Sequence, residues 1–242
     1  MMIAAAVCPH PPLLITELLP SGSRPEPVVE VSDACVRAVQ WLLRQSPDLV
    51  VVIGGGEATQ QYGASTPFFV DRYARSIGIS REREAVMVTP GLPLSLGIGA
   101  RLLDEAGWDG PRRFQALSSD RPAEQNAKIG RTLVEEPGRT ALLVMGDGSA
   151  RRGPKAPGYL DPRAASYDDQ VTIALGKGDA EALLSLDEDL AVALLVQGRA
   201  AWQALAGAAG TLPGQLEAEL LYAGDPYGVQ YIVSTWQPAP VR

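Results

Sequence analysis

With 242 residues, 46% of them hydrophobic and 20% charged, the chain is long enough to bury a full core, and no compositional break divides it. A formal net charge of −7 leaves no surface-wide attraction for polyanions, so nucleic acid and anionic membranes are excluded as general partners. Two cysteines, Cys8 and Cys35, are too few for a disulfide framework, and no run reaches the ~20 apolar residues that span a bilayer. The expectation is one α/β domain over residues 1–242, without a secretory signal and in the cytoplasm.

In chain order, Met2 to Cys8 is an apolar run ended by Pro9-His10-Pro11-Pro12, where missing amide donors and restricted backbone close a first strand. A Pro/Gly/Ser-rich loop from Pro20 to Pro27 follows. Val31, Ala34, Cys35, Ala38, Val39, Leu42 and Leu43 then keep helical spacing until Pro47. Leu49 to Ile53 is a continuous β-branched run of the kind buried on both faces, and Gly54-Gly55-Gly56 ends it. Ala85 to Val88 reads as a weak strand, and Leu94, Ile98, Leu102 and Ala106 mark a helix. Arg113 to Leu117 reads as a short, edge-like strand. Asp120 stands as N-cap to a helix through Ala123, Ala127, Gly130 and Val134. Thr140 to Met145 is a second buried strand, and Asp161-Pro162 opens a helical region to about residue 208. Glu217 to Tyr222 and Val229 to Thr235 are the final strands. This alternation predicts a mostly parallel or mixed sheet with helices on both faces.

Ligands in open α/β sheets gather beyond the carboxyl ends of the strands. Three strands end there in unusual loops, at Cys8–Pro12, Gly54–Glu57 and Gly146–Arg152, and as parallel neighbours they would meet. A dinucleotide fingerprint would require glycine at 59 or 151, where Thr59 and Arg151 stand, and no P-loop occurs. The glycines are therefore read as turn glycines. His10 is the only histidine of the chain and sits in a rigid proline clamp, as a metal ligand or as a structural hydrogen-bonding group. Cys8 is read as a small buried strand residue, since Pro9 turns it away from His10. Ser149 is the one candidate nucleophile, although residues 147–151 do not form a nucleophile elbow. Arg151, Arg152 and Lys155 could clamp a carboxylate or phosphate, or simply pair with Asp161, Asp168 or Asp169. Tyr222, Tyr227 and Tyr231 fit either a pocket wall or strand packing.

Ala4-Ala-Ala-Val-Cys-Pro-His-Pro-Pro-Leu-Leu14, Pro47-Asp-Leu-Val-Val-Val-Ile-Gly54, Ala141-Leu-Leu-Val-Met-Gly-Asp-Gly-Ser149 and Pro226-Tyr-Gly-Val-Gln-Tyr231 resemble, in order and spacing, the class III extradiol ring-cleavage dioxygenases of the subunit-B type (protocatechuate 4,5-dioxygenase β-chain-like). The resemblance implies that fold, a homodimer, and metal-dependent oxidative cleavage of a catechol-type ring. It implies Fe(II) held by two His and one Glu, with a further His as acid/base. His10 matches the first metal ligand. The second metal His is replaced by the Gly54–Glu57 stretch, and the acid/base His by Ala150. Glu217, Glu219 and Asp225 are candidates for the carboxylate ligand. Glu57 in place of the missing His would make a harder site, better suited to Mn²⁺ or Mg²⁺ than to Fe(II). The expectation is a divergent member binding a small aromatic acid or other anion, lined by His10, Glu57, Asp147, Ser149, Arg151 and Tyr227. A hydrolase on the same frame, using His10 with Ser149 or a water, and a non-catalytic interaction protein are the alternatives.

Overall fold

A computed structural model describes residues 1–19, 24–71, 73, 91–212 and 214–239. Its central sheet is built from β1 (Met2–Cys8), β2 (Leu49–Gly55), β3 (Gln60–Tyr62), β4 (Arg112–Leu117), β5 (Thr140–Met145), β6 (Leu216–Gly224) and β7 (Tyr231–Pro238), in the order β3-β4-β2-β5-β1-β7-β6. The four inner strands β4, β2, β5 and β1 run parallel. β3 pairs antiparallel to β4, and β7 antiparallel to both β1 and β6.

The helices are α1 (Glu26–Arg44), α2 (Leu94–Glu105), α3 (Ala123–Leu133), α4 (Arg163–Lys177), α5 (Ala180–Leu184), α6 (Glu188–Ala193) and α7 (Arg199–Ala209), with two 3₁₀ turns at Pro12–Leu14 and Thr16–Leu18. Among the described residues, no helix is long and apolar enough to cross a membrane. Side chains alternate across the sheet, so the β-branched runs feed two cores. Val51, Ile53, Leu142 and Val144 pack with the α4–α7 side. Val50, Val52, Leu143 and Met145 pack with α1 and α2 on the other face.

α7 is held by backbone-level contact with α3. A Cβ on Gly130 would overlap the Ala204 carbonyl, and one on Gly207 would overlap that of Ala127. This close approach fixes where the first turn of α7 points, and that turn is part of the site described below.

Four expectations change in detail. β4 is not an edge, because β3 lies outside it; three residues without apolar alternation gave β3 no readable pattern. Asp120 does not cap α3, whose N-cap is Pro122; it accepts from the Ser118 hydroxyl, and Glu188 instead accepts from the Ala123 N–H at 2.8 Å. The region opened by Asp161-Pro162 divides into four helices. The last strand begins at Tyr231, two residues later than its apolar run. The strand read over Ala85–Val88 lies outside the described residues.

Candidate functional site

Because β2, β5 and β1 are adjacent and parallel, the loops that follow them emerge together. A cavity of about 500 Å³ opens there, lined by His10, Gly55, Gly56, Glu57 and Asp147 from these loops. Pro93, Leu94 and Ser95 at the start of α2 and Val196, Gln197, Arg199 and Ala200 at the start of α7 also line it, with Leu117, Ser119, Ala191 and Val192 among the others.

The glycines at the strand ends explain how two helix starts come so close. A Cβ on Gly54 would lie 2.5 Å from Ser95 Oγ; without it, the first turn of α2 seats on β2 and the Ser95 hydroxyl donates to the Gly55 carbonyl at 2.6 Å. A Cβ on Gly146 would lie 2.6 Å from the Gly198 Cα, so its absence admits the start of α7 against β5. Both glycines serve close approach of a helix rather than a reversal of the chain.

His10 is only 6% exposed. Its backbone N–H donates to Asp147 Oδ1 at 2.7 Å, so the loops after β1 and β5 are tied through this carboxylate. The imidazole Nδ1 lies 3.6 Å from the same oxygen, beyond hydrogen-bond distance, and has no hydrogen-bond partner among the described residues. The Asp147 carbonyl accepts the N–H groups of Gln197 and Gly198 at 3.1 and 2.9 Å, which anchors the entry to α7. Burial pushes the Asp147 carboxyl above the usual aspartate range, against the opposing pull of His10 and of the His10 N–H. The pair is thus a buried carboxylate beside an imidazole with capacity to spare. It can accept or donate one proton at the cavity wall.

The remaining candidates lie elsewhere. Ser149 is fully buried: its hydroxyl donates to Asp168 Oδ2 at 2.5 Å and its N–H to Asp168 Oδ1 at 2.8 Å. It does not line the cavity, so a nucleophilic Ser149 working with His10 is set aside. Arg151 donates to the Gly158 carbonyl, and Arg152 pairs with Asp225 at 3.0 Å and approaches Asp168 at 3.8 Å. Arg151 is thus used within its own loop, and Arg152 ties that loop to the β6–β7 turn and to α4. Tyr231 packs in the sheet core with Tyr222 against it, and Tyr227 stands exposed outside the cavity lining. Glu217 and Glu219 lie on β6 at the far edge of the sheet, so with Asp225 held by Arg152 none of the three C-terminal acids reaches His10.

Sequence reasoning missed Ser95, Gln197 and Arg199. Gly198 ahead of the alanine-rich stretch Ala200–Ala209 was the available signal for a helix start. Nothing local announced that this start would face His10. Arg199 is 3% exposed, and its guanidinium donates to the carbonyls of Ser119 and Arg121 and to Gln203, beside Glu188 at 3.1 Å. It is a strut that holds the α7 start against the loop before α3.

No family model matches the chain, and no curated protein sequence is significantly similar to it. Among solved structures, the uncharacterized protein JW3007 from Escherichia coli K12 superposes with a TM-score of 0.51 at 18% identity, over 97% of this chain and 99% of that one. The likeness is one of fold.

Proposed function

We propose that this chain binds a small polar molecule in the cavity at the carboxyl ends of β1, β2 and β5, with His10 and Asp147 meeting its hydroxyl or other proton-bearing atom. The observation that supports this is the buried imidazole lining the cavity with Nδ1 unpartnered. Buried polar groups are nearly always hydrogen-bonded, and an imidazole with an unpaired nitrogen in the wall of a cavity of this size suits a ligand. Leu94, Leu117 and Val196 supply apolar wall for the body of such a molecule.

The resemblance to extradiol dioxygenases implies iron, and the donor set does not fit it. A two-His site cannot be assembled from one histidine. Among the described residues, no group of three or more His, Cys, Asp or Glu side chains could hold a metal ion. Glu57, His10 and Asp147 share the cavity lining but are not grouped closely enough to hold one ion. The proposal is therefore a divergent site on that frame that binds its ligand, and handles at most a proton, through His10.

Calorimetric titration with hydroxylated aromatic acids, 4-hydroxybenzoate first, tests the reading. Binding that weakens at least tenfold in His10→Ala is expected, with no O₂ uptake when Fe(II) and catechol are supplied. Stoichiometric iron that is lost in His10→Ala, together with catechol-dependent O₂ uptake, would overturn it in favour of the family reaction.

A further inference from the structure

The cavity has a second set of unsatisfied groups opposite the imidazole. α2 begins at Pro93 and α7 at Gly198, and neither N-cap supplies a side-chain acceptor. The first-turn N–H groups of Leu94, Ser95 and Leu96, and of Arg199, Ala200 and Ala201, have no acceptor among the described residues. Ser95, Leu96, Arg199, Ala200 and Ala201 are all buried. Four other helix starts have a carboxylate acceptor, Asp179 at α5, Asp187 at α6, Glu188 at α3 and Asp161 at α4, whereas the uncapped start of α1 at Pro25–Glu26 is exposed to water. Buried backbone donors without an acceptor are costly, and helix N-termini carry a partial positive charge aimed along the axis.

Two such termini border, from the two faces of the sheet, the cavity whose wall also holds the His10 ring. We infer that the site takes an oxyanion, a phosphate or carboxylate group, seated on the first-turn amides of α2 and α7 while His10 contacts the rest of the same molecule. This rests on the cavity being the binding site, as proposed above. An oxyanion suits such a wall because helix N-termini present backbone donors and a partial positive charge to it. Arg199 adds positive charge to the wall, offset by Glu188 beside it. Glu57 and Asp147 are the acidic side chains on the lining and set the upper limit of affinity.

One histidine per chain makes the test direct, since its ring gives a single set of NMR resonances. Phosphate, phenyl phosphate, benzoate and neutral phenol are titrated in turn, following the His10 ring and the heat of binding. The expected result is that an anionic probe moves the ring resonances and phenol binds at least tenfold more weakly. Phenyl phosphate against benzoate identifies which oxyanion is preferred. Gln197 is exposed at the cavity wall before α7, so Gln197→Glu adds a negative charge there without disturbing the core. It should weaken the anion at least tenfold at an unchanged unfolding midpoint, and Glu57→Gln should tighten it. Equal anion affinity in the parent and Gln197→Glu overturns the inference. If phenol moves the ring and no anion does, the inference falls while the binding site stands; if no probe moves it, both fall.

Discussion

Asp147 and Ser149 stand two residues apart on the loop after β5 and have opposite surroundings. Asp147 lines a cavity beside an imidazole that keeps an unused nitrogen. Ser149 is enclosed, and its hydroxyl and N–H both end on the Asp168 carboxylate. Gly148 between them is packed so tightly that a Cβ would lie 2.7 Å from Gln230 and 2.8 Å from Asp168 Oδ1. The same few residues therefore build a ligand-facing group and an internal tie, and the distinction lies in which polar atoms are left without partners. A polar group that is buried and satisfied holds structure together, whereas one that is buried and open toward space is available to a ligand.

Breaking the tie should have the largest effect. Asp168→Ala strips Ser149 of both acceptors and leaves Arg152 facing only Asp225, so a loss of about 3 kcal/mol is expected, read by urea unfolding. His10→Ala is the contrasting case. It removes a ring whose Nδ1 has no hydrogen-bond partner among the described residues, so stability should change by no more than about 2 kcal/mol, from lost packing, while ligand binding suffers. A loss in His10→Ala as large as that in Asp168→Ala would dissolve the comparison.

The smallest effect is one of pH. The folded-state pKa of Asp147 is raised by burial, so the folded state holds its proton to higher pH than the unfolded chain does. This carboxyl's contribution is most favourable below the unfolded value and is lost as pH rises through the folded value. Asp147→Asn should therefore gain relative to the parent chain as pH rises through the window above 3.8. Denaturation midpoints of both proteins across that range check the sign, and a difference that shrinks with rising pH would refute it.

Much of the scaffold was legible along the chain. Leu49–Ile53 and Thr140–Met145 are apolar at every or nearly every position, and such runs fit only strands covered on both faces. The proline clamp around His10 marked the end of β1 for the same local reason, a missing donor. From the alternation of such runs with helical spacing came the expectation that three loops converge, and the adjacency of β2, β5 and β1 realises it. β3 was not legible, because three polar or half-exposed residues pair with β4 only after the sheet exists.

Within the site, the sequence by itself determined that His10 would be alone, since no second imidazole occurs to join it, and that glycines would crowd the ends of β2 and β5. Only the tertiary structure decided what those facts mean. Gly54 and Gly146 receive the first turns of α2 and α7, which begin 40 and 53 residues further along the chain. Whether Ser149 or Arg199 faces a ligand depends on partners at Asp168, Ser119 and Arg121, brought together by packing rather than by spacing. Local propensity is carried by neighbours along the chain, but the satisfaction of a buried polar atom is settled by whatever the fold places beside it.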